Sequence, residues 1–400
     1  MKTITKPVSI QPSAVETIEQ KKVYDLLVFI GRFQPLHTCH MQVINTALQK
    51  AKNVLVLIGS AGSPRRFRNP WTYAERSLMI EACYPEFGDT LKVKPIFDKT
   101  YNDPAWIAQV QAVVKEAALE ILRNGKPAGT WIPDGIADLK IGLIGCAKDH
   151  SCYYLNMFPQ WNSINVEFTT TMDATSIRNM YLDPDHKVQP HELVGNELAK
   201  PVVDLLYGHL DNEKMIWPAG FNSTQAYLDL QEEYEFLKKI KNKEKMIKEF
   251  LKSEGLPYYE RIDQTVDAII EQSGHILVIR RRAAPGKGLM ALPGGYVEKH
   301  EPLVDAMLRE LAEETKIKLS ERTLTRCIVN TFDADDPYRS ERGRIISKVF
   351  HIKLDDSSEF PKVKGSDDAD KAFWIPISEL KEEEFFEDHF FVIKKMLGIA

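Results

Sequence analysis

DLLVFIGRFQPLHTCH, residues 25–40, is the stretch on which the reading of the fold turns. Residues 26–30 are apolar without alternation, which suits a strand buried on both faces. A glycine, a proline and two histidines three positions apart then lead into a helical pattern. Apolar runs of the same kind recur as VLVLIG (54–59), VKPIF (93–97) and IGLIG (141–145). Amphipathic segments such as YAERSLMIEACY (73–84) and PAWIAQVQAVVKEAALEILRN (104–124) lie between them. This order predicts a doubly wound α/β domain with a parallel sheet, in which ligands bind beyond the carboxyl ends of the strands. His37 and His40 stand at such an end and open a helix, where backbone N–H groups favour anions. A zinc site would need three or four ligands, and no other His or Cys pair has a suitable spacing. Taken singly, either histidine reads better as a satisfied structural residue. As a pair they can donate hydrogen bonds to phosphate oxygens as charge builds in a displacement.

Composition narrows the class. The 400 residues carry 52 basic and 57 acidic side chains, a net charge of -5, which argues against a nucleic-acid partner held by bulk charge. No apolar run reaches the roughly 18 residues that span a bilayer, so no membrane segment is expected. Residues 1–21 read as a polar arm with no secretory core. Five cysteines, odd in number and without a CxxC pair, favour a reducing, cytoplasmic compartment. Four segments follow: the arm, an α/β domain at 22–200, a charged helical extension or linker at 201–257, and an α+β domain with a mixed sheet at 258–400. RIDQTVDAIIEQSGHILVIRRR (261–282) predicts two strands around the turn 272–275.

The second domain holds ALPGGYVEKHEPLVDAMLRELAEETKI, 291–317. Glu310, Glu313 and Glu314 share one helix face, with Ala306, Leu308, Leu311 and Ala312 as the stripe to bury. Like charges so placed repel, and a divalent cation with oxygen ligands, Mg²⁺ or Mn²⁺, reverses that cost. From Gly295 through Glu301 to Arg309-Glu310-Leu311-x-Glu313-Glu314, the segment resembles the Nudix box. The resemblance implies metal ligation by Glu310, Glu313 and Glu314 with Glu301 nearby, catalytic roles for Glu313 and Glu314, and a structural Arg309. One position departs: Lys316 stands where a glycine usually ends the helix, so a changed helix exit is expected. Gly294, Gly295, Arg339 and Arg344 are candidates for binding a diphosphate, with Arg342 in the same cluster, although a solvated loop fits these arginines as well. Asp367 and Asp368 could supply an extra acid or base. Together these stretches resemble ADP-ribose pyrophosphatases.

GRFQPLHTCH in turn resembles the nucleotidyltransferase signature G-x-F-x-P-x-H-x-G-H. TMDATSIRNM (171–180) resembles that family's second element through Thr175 and Arg178. The fold implied is a Rossmann-like nucleotidyltransferase domain with a parallel sheet, followed by an α+β Nudix domain. ATP is then expected at Gly31, Arg32, Phe33, His37, His40, Thr175 and Arg178, with His37, His40 and Arg178 catalytic. NPWTYAER (69–76) and YNDPAW (101–106) resemble nicotinamide mononucleotide adenylyltransferases, which implies mononucleotide contacts from Asn102, Trp106 and Arg76. Lys148 and Asp149 would lie at the rim, and Arg65, Arg66 and Arg68 either touch the triphosphate or are solvated. Cys39 replaces the usual glycine and Asp173 the usual serine; the thiol is expected to be tolerated and open to oxidation. The whole chain resembles bifunctional proteins that join such a transferase to an ADP-ribose pyrophosphatase. That family uses ATP, nicotinamide mononucleotide and ADP-ribose, and a homo-oligomer is compatible with it. Three other readings stay open: an adenylyltransferase for another acceptor such as phosphopantetheine, a regulator that senses NAD metabolites, or a scaffold role for one inactive domain.

Overall fold

The computed structural model describes residues 22–124, 126, 135–146, 154–167, 173–185, 193, 197–208, 220–365 and 369–399. The expected arm at 1–21, the rim pair Lys148 and Asp149, and Asp367 and Asp368 lie outside the described residues.

The first domain forms on a parallel sheet of β1 (Tyr24–Gly31), β2 (Ala51–Ile58), β3 (Leu91–Pro95), β4 (Ile141–Gly145) and β5 (Asn162–Asn165), ordered β3-β2-β1-β4-β5. The unbroken apolar runs have the physical cause expected of them. Leu27, Phe29, Val54, Val56 and Ile58 enter one core, while Leu26, Val28, Ile30, Leu55 and Leu57 enter the other. Against the first face pack α1 (Thr38–Lys50), α2 (Tyr73–Cys83), α4 (Ala174–Leu182) and α5 (Lys200–Tyr207); α3 (Asp103–Arg123) covers the second. The polar edge strand β5 carries no apolar signal and escapes a sequence reading.

The boundary expected at residue 200 is too early. Val202, Val203, Leu206, Phe221, Leu230 and Leu237 all belong to the first domain's core. Helix α6 (Gln225–Ser253) therefore starts as part of that domain rather than as a solvated connector. Its far half is exposed at Met246 and Phe250.

The second domain has a mixed sheet of β6 (Ile262–Gln272), β7 (His275–Arg281), β10 (Ile328–Ala334), β11 (Arg344–Lys353) and β12 (Ala369–Pro376), ordered β10-β11-β6-β7-β12; β8 (Met290–Ala291) and β9 (Gly294–Tyr296) pair beside it. The β6–β7 turn places Ser273 and Gly274 at φ 45° and 72°, the left-handed pair that a two-residue hairpin needs. Helix α7 (Leu303–Thr315) packs on one face, with the short α8 (Glu321–Arg326) beside it, and α9 (His389–Leu397) on the other.

Helix α7 buries Ala306, Met307, Leu308 and Leu311 but also Glu314, while Ala312 is exposed. The buried stripe is thus rotated from the expected one, because a functional carboxylate takes an interior position. The helix exit also differs from expectation. Lys316 adopts φ 48° and ψ 30°, the left-handed conformation a glycine would supply, and its N–H bonds to Ala312 O at 3.1 Å. The exit geometry is kept at a steric cost to the lysine. Lys316→Gly should therefore gain about 0.5–1 kcal/mol, seen as a higher urea midpoint at unchanged slope. An unmoved midpoint would show that no strain is stored there.

Candidate active sites

The first site is built where β1 ends. His37 caps the N-terminus of α1, and its ring centroid lies 3.9 Å from that of His40. The backbone N–H of His37 donates to His40 Nδ1 at 3.4 Å, which leaves the His40 proton on Nε2. Burial, then the charges of His37 and Arg32, push the His40 pKa well below its ordinary value. At neutral pH His40 is therefore a neutral donor. Phe33, at φ 51°, folds back to pack 4.8 Å from His40. Gly31 makes room for it, since a Cβ there would lie 3.0 Å from the Phe33 ring.

The start of α4 faces these rings. Arg178 is only 4% exposed, and donates to Gln34 O at 2.7 Å and to Thr175 Oγ1 at 3.0 Å. Burial lowers its pKa to about 10, so it remains a cation at neutral pH. Asp173 caps α4, accepting from Ser176 N at 2.7 Å. Burial opposes its charge, but the hydrogen bonds from the helix start prevail and hold the carboxyl below its usual range. It fills the capping role of the usual serine, but as an anion beside the arginine.

These groups line a cavity of about 630 Å³ together with Arg32, Arg66, Arg68 and Trp106. Trp106 is half-buried, its ring 5.9 Å from that of Phe158, so core packing and cavity lining are combined in one side chain. Asp98 and Thr100 also line it. Sequence reasoning missed both, although their position after β3 is a strand-end signal.

Three expected contacts need correction. Arg76 is 1% exposed and donates to the carbonyls of Arg32 (2.7 Å), Gly59 (2.7 Å) and Ser60 (3.1 Å), so it braces strand ends instead of facing a ligand. The Asn102 side chain accepts from Ala105 N at 3.2 Å and caps α3, outside the residues that line the cavity. Arg65 is paired with Glu75 at 2.7 Å. Cys39 is only 4% exposed within α1 but is among the residues that line the cavity.

The second site gathers on α7 and the preceding loop. Arg309 bonds Glu301 (2.8 and 2.9 Å), Glu310 (2.7 Å), Glu313 (3.3 Å) and the Tyr296 carbonyl (3.0 Å), which makes it the organiser of the carboxylates. Glu314 accepts from Gly294 N at 2.9 Å. Burial, with Glu310 and Asp267 adding negative charge, pushes Glu314 up to about 8 against the lowering effect of that hydrogen bond. A Cβ on Gly295 would lie 2.5 Å from the Glu310 carboxylate, so the glycine keeps the cradle open. An all-oxygen set with unbalanced negative charge fits a hard divalent cation. Among the described residues a further acidic group, Asp183, Asp185 and Glu235, is bridged by Lys238 at 3.0, 3.1 and 3.5 Å, so an ammonium already occupies its centre.

The arginines expected to grip a diphosphate are engaged elsewhere. Arg339 is 5% exposed, pairs with Asp388 at 2.8 and 2.9 Å, and lines the first domain's cavity. Arg342 pairs with Glu387 at 3.0 Å, and Arg344 donates to Asp335 O at 2.7 Å.

Fold and sites together define a two-part enzyme, a nucleotidyltransferase followed by a Nudix hydrolase. A cytidylyltransferase-like family model matches residues 28–132 and a NUDIX domain model residues 262–395. Over 162 residues the chain is 37% identical to a nicotinamide/nicotinic acid mononucleotide adenylyltransferase of Acinetobacter baylyi, covering 40% of this chain and 77% of that one. Over 129 residues it is 36% identical to an ADP-ribose pyrophosphatase of Methanocaldococcus jannaschii, covering 32% and 69%. A crystal structure of a bifunctional NMN adenylyltransferase/ADP ribose pyrophosphatase from Francisella tularensis, complexed with AMP and a Mn ion, matches with TM-score 0.74 and 30% identity, over 94% of this chain and 99% of that one. The chain belongs to this family of bifunctional NMN adenylyltransferase/ADP-ribose pyrophosphatases.

Proposed function

We propose that the first domain joins nicotinamide mononucleotide to ATP, giving NAD and pyrophosphate, and that the second hydrolyses ADP-ribose to AMP and ribose 5-phosphate. The observation that carries this reading is that 94% of the chain aligns with a bifunctional relative, with the histidine loop and the carboxylate helix both present. In the transfer, a phosphate oxygen of the mononucleotide attacks the α-phosphorus of ATP and pyrophosphate leaves. The His40 Nε2–H and His37 meet charge that grows on the α-phosphate, and Arg178 with Arg32 meets the leaving pyrophosphate. Gly31, Phe33 and Thr175 position these groups. Trp106 offers a face to the cationic pyridinium ring, worth roughly 0.5–2 kcal/mol.

In the hydrolase domain, Glu310, Glu313 and Glu314 would hold Mg²⁺ or Mn²⁺, with Glu301 and Arg309 fixing their orientation. Such a cation polarises the diphosphate and makes bound water more acidic. Burial raises the Glu314 carboxyl to about 8 in the metal-free protein, and the cation it would help to hold would favour its ionised form. Gly294 and Gly295 leave room for the Val266 carbonyl and the Glu310 carboxylate, where a Cβ would collide, and so keep the loop close to the helix carboxylates.

Among the described residues no helix is long and apolar enough to cross a membrane. A cytoplasmic enzyme acting on free nucleotides, without nucleic acid, is the setting we infer.

The test is product analysis of the intact protein with Mg²⁺ and either ATP plus nicotinamide mononucleotide or ADP-ribose alone. NAD in the first and AMP in the second are expected. Adenylylation of phosphopantetheine instead would move the first domain to another acceptor. Tight ADP-ribose binding without turnover would make the second domain a sensor.

A further inference from the structure

The cavity around His37 and His40 is not walled by the first domain alone. Asp336, Tyr338 and Arg339, from the loop between β10 and β11, line it too, as do Glu387, Asp388 and Phe391 at the start of α9. The two domains are tied at this wall. Arg68 Nη1 donates to the Tyr338 carbonyl at 3.1 Å, and its guanidinium lies 5.5 Å from the centroid of the Tyr338 ring. Tyr101 of the first domain donates to Asp388 at 2.5 Å, and Asp388 in turn pairs with Arg339.

The same loop also carries a carboxylate, Glu341. One carboxylate oxygen of Glu341 is buried without a hydrogen-bond partner among the described residues. Arg66, across a small gap between the domains, leaves its buried Nε–H without a partner as well. The Glu341 charge is felt at Arg32 and Arg178, where Arg68 acts with the opposite sign. A positive cavity for polyphosphate thus has its strength set partly from the neighbouring domain: Tyr338 holds one cation in place and Glu341 offsets the others.

We propose that the β10–β11 loop of the hydrolase domain is part of the transferase's nucleoside-triphosphate site, with Tyr338 positioning Arg68 and Glu341 weakening the cavity's hold on the triphosphate. The proposal rests on the adenylyl-transfer reading for its ligand. A held cation binds better than a mobile one because less freedom is lost on binding. Removing an opposing carboxylate strengthens the field on a polyanion. The two side chains therefore act with opposite signs, which a shared packing role does not produce.

The experiment measures ATP binding and steady-state NAD synthesis in the full chain. Tyr338 is 65% exposed, so Tyr338→Ala leaves the core intact. It should raise the Kd and KM for ATP about two- to fivefold, on the scale of one cation–ring contact, with kcat changed less than twofold. Glu341→Gln should lower both constants about threefold or more, as expected for a partly buried charge. ATP constants within 1.5-fold of wild type in both variants, or shifts of the same sign, would overturn the proposal. So would equal losses of NAD synthesis and ADP-ribose hydrolysis, which mark general loosening. If wild type binds ATP but makes no NAD, the adenylyl-transfer reading fails while the ATP Kd still tests this inference.

Discussion

Glu314→Gln abolishes ADP-ribose hydrolysis, by about a hundredfold or more, and leaves NAD synthesis at the wild-type rate. The scale is that of losing a positioned acid–base or metal-holding carboxylate. Glutamine keeps the shape of the side chain, and its amide oxygen can still accept from Gly294 N, which lies 2.9 Å from the glutamate. Charge alone is removed. Stability moves the other way: the folded-state pKa is raised to about 8 from an ordinary 4.5, so the folded wild type resists ionisation that the unfolded chain undergoes freely. The wild type therefore loses stability as pH rises from about 4.5 to 8, and the glutamine variant does not. With a chelator present, the variant should melt higher than wild type at pH 8. Loss of both activities would instead mean that the two halves do not work independently.

His40→Ala should cut NAD synthesis by roughly a hundredfold or more, the cost of removing a hydrogen-bond donor to developing charge. ADP-ribose hydrolysis should be untouched. The ring is already oriented by the His37 N–H and by Phe33, so the contribution lies in the transition state and should appear in kcat. Because burial keeps the imidazole neutral well below its ordinary pKa, its protonation should not lower the rate between about pH 8 and 6.5. A loss under threefold for the alanine variant would remove His40 from the chemistry.

Much of this protein was legible in its residues. The unbroken apolar runs specified strands with two buried faces, and the Ser273–Gly274 turn specified a hairpin. Both follow from local sterics and the two-residue period of a strand. The carboxylate spacing on α7 and the histidine spacing on α1 likewise follow from helical geometry. The errors share a cause: a sequence gives the type and spacing of charged groups but not their partners. Arg76 and Asn102 had the right neighbours in sequence, yet backbone carbonyls and a helix end claimed them. Arg339 belonged to a recognisable cluster, but Asp388, 49 positions away, pairs with it. Glu314 looked like a member of a polar face, and only packing against the Gly294 loop made it interior.

What the sequence by itself determined is the pair of chemistries, because each depends on residues close together on one helix start or one helix face. What only the tertiary structure decided is where one site ends. The transferase cavity takes a wall from a loop nearly 300 residues after its histidines, from His37 to Asp336, Tyr338 and Arg339. No spacing rule reaches that far, since the contact depends on how two independently formed cores dock.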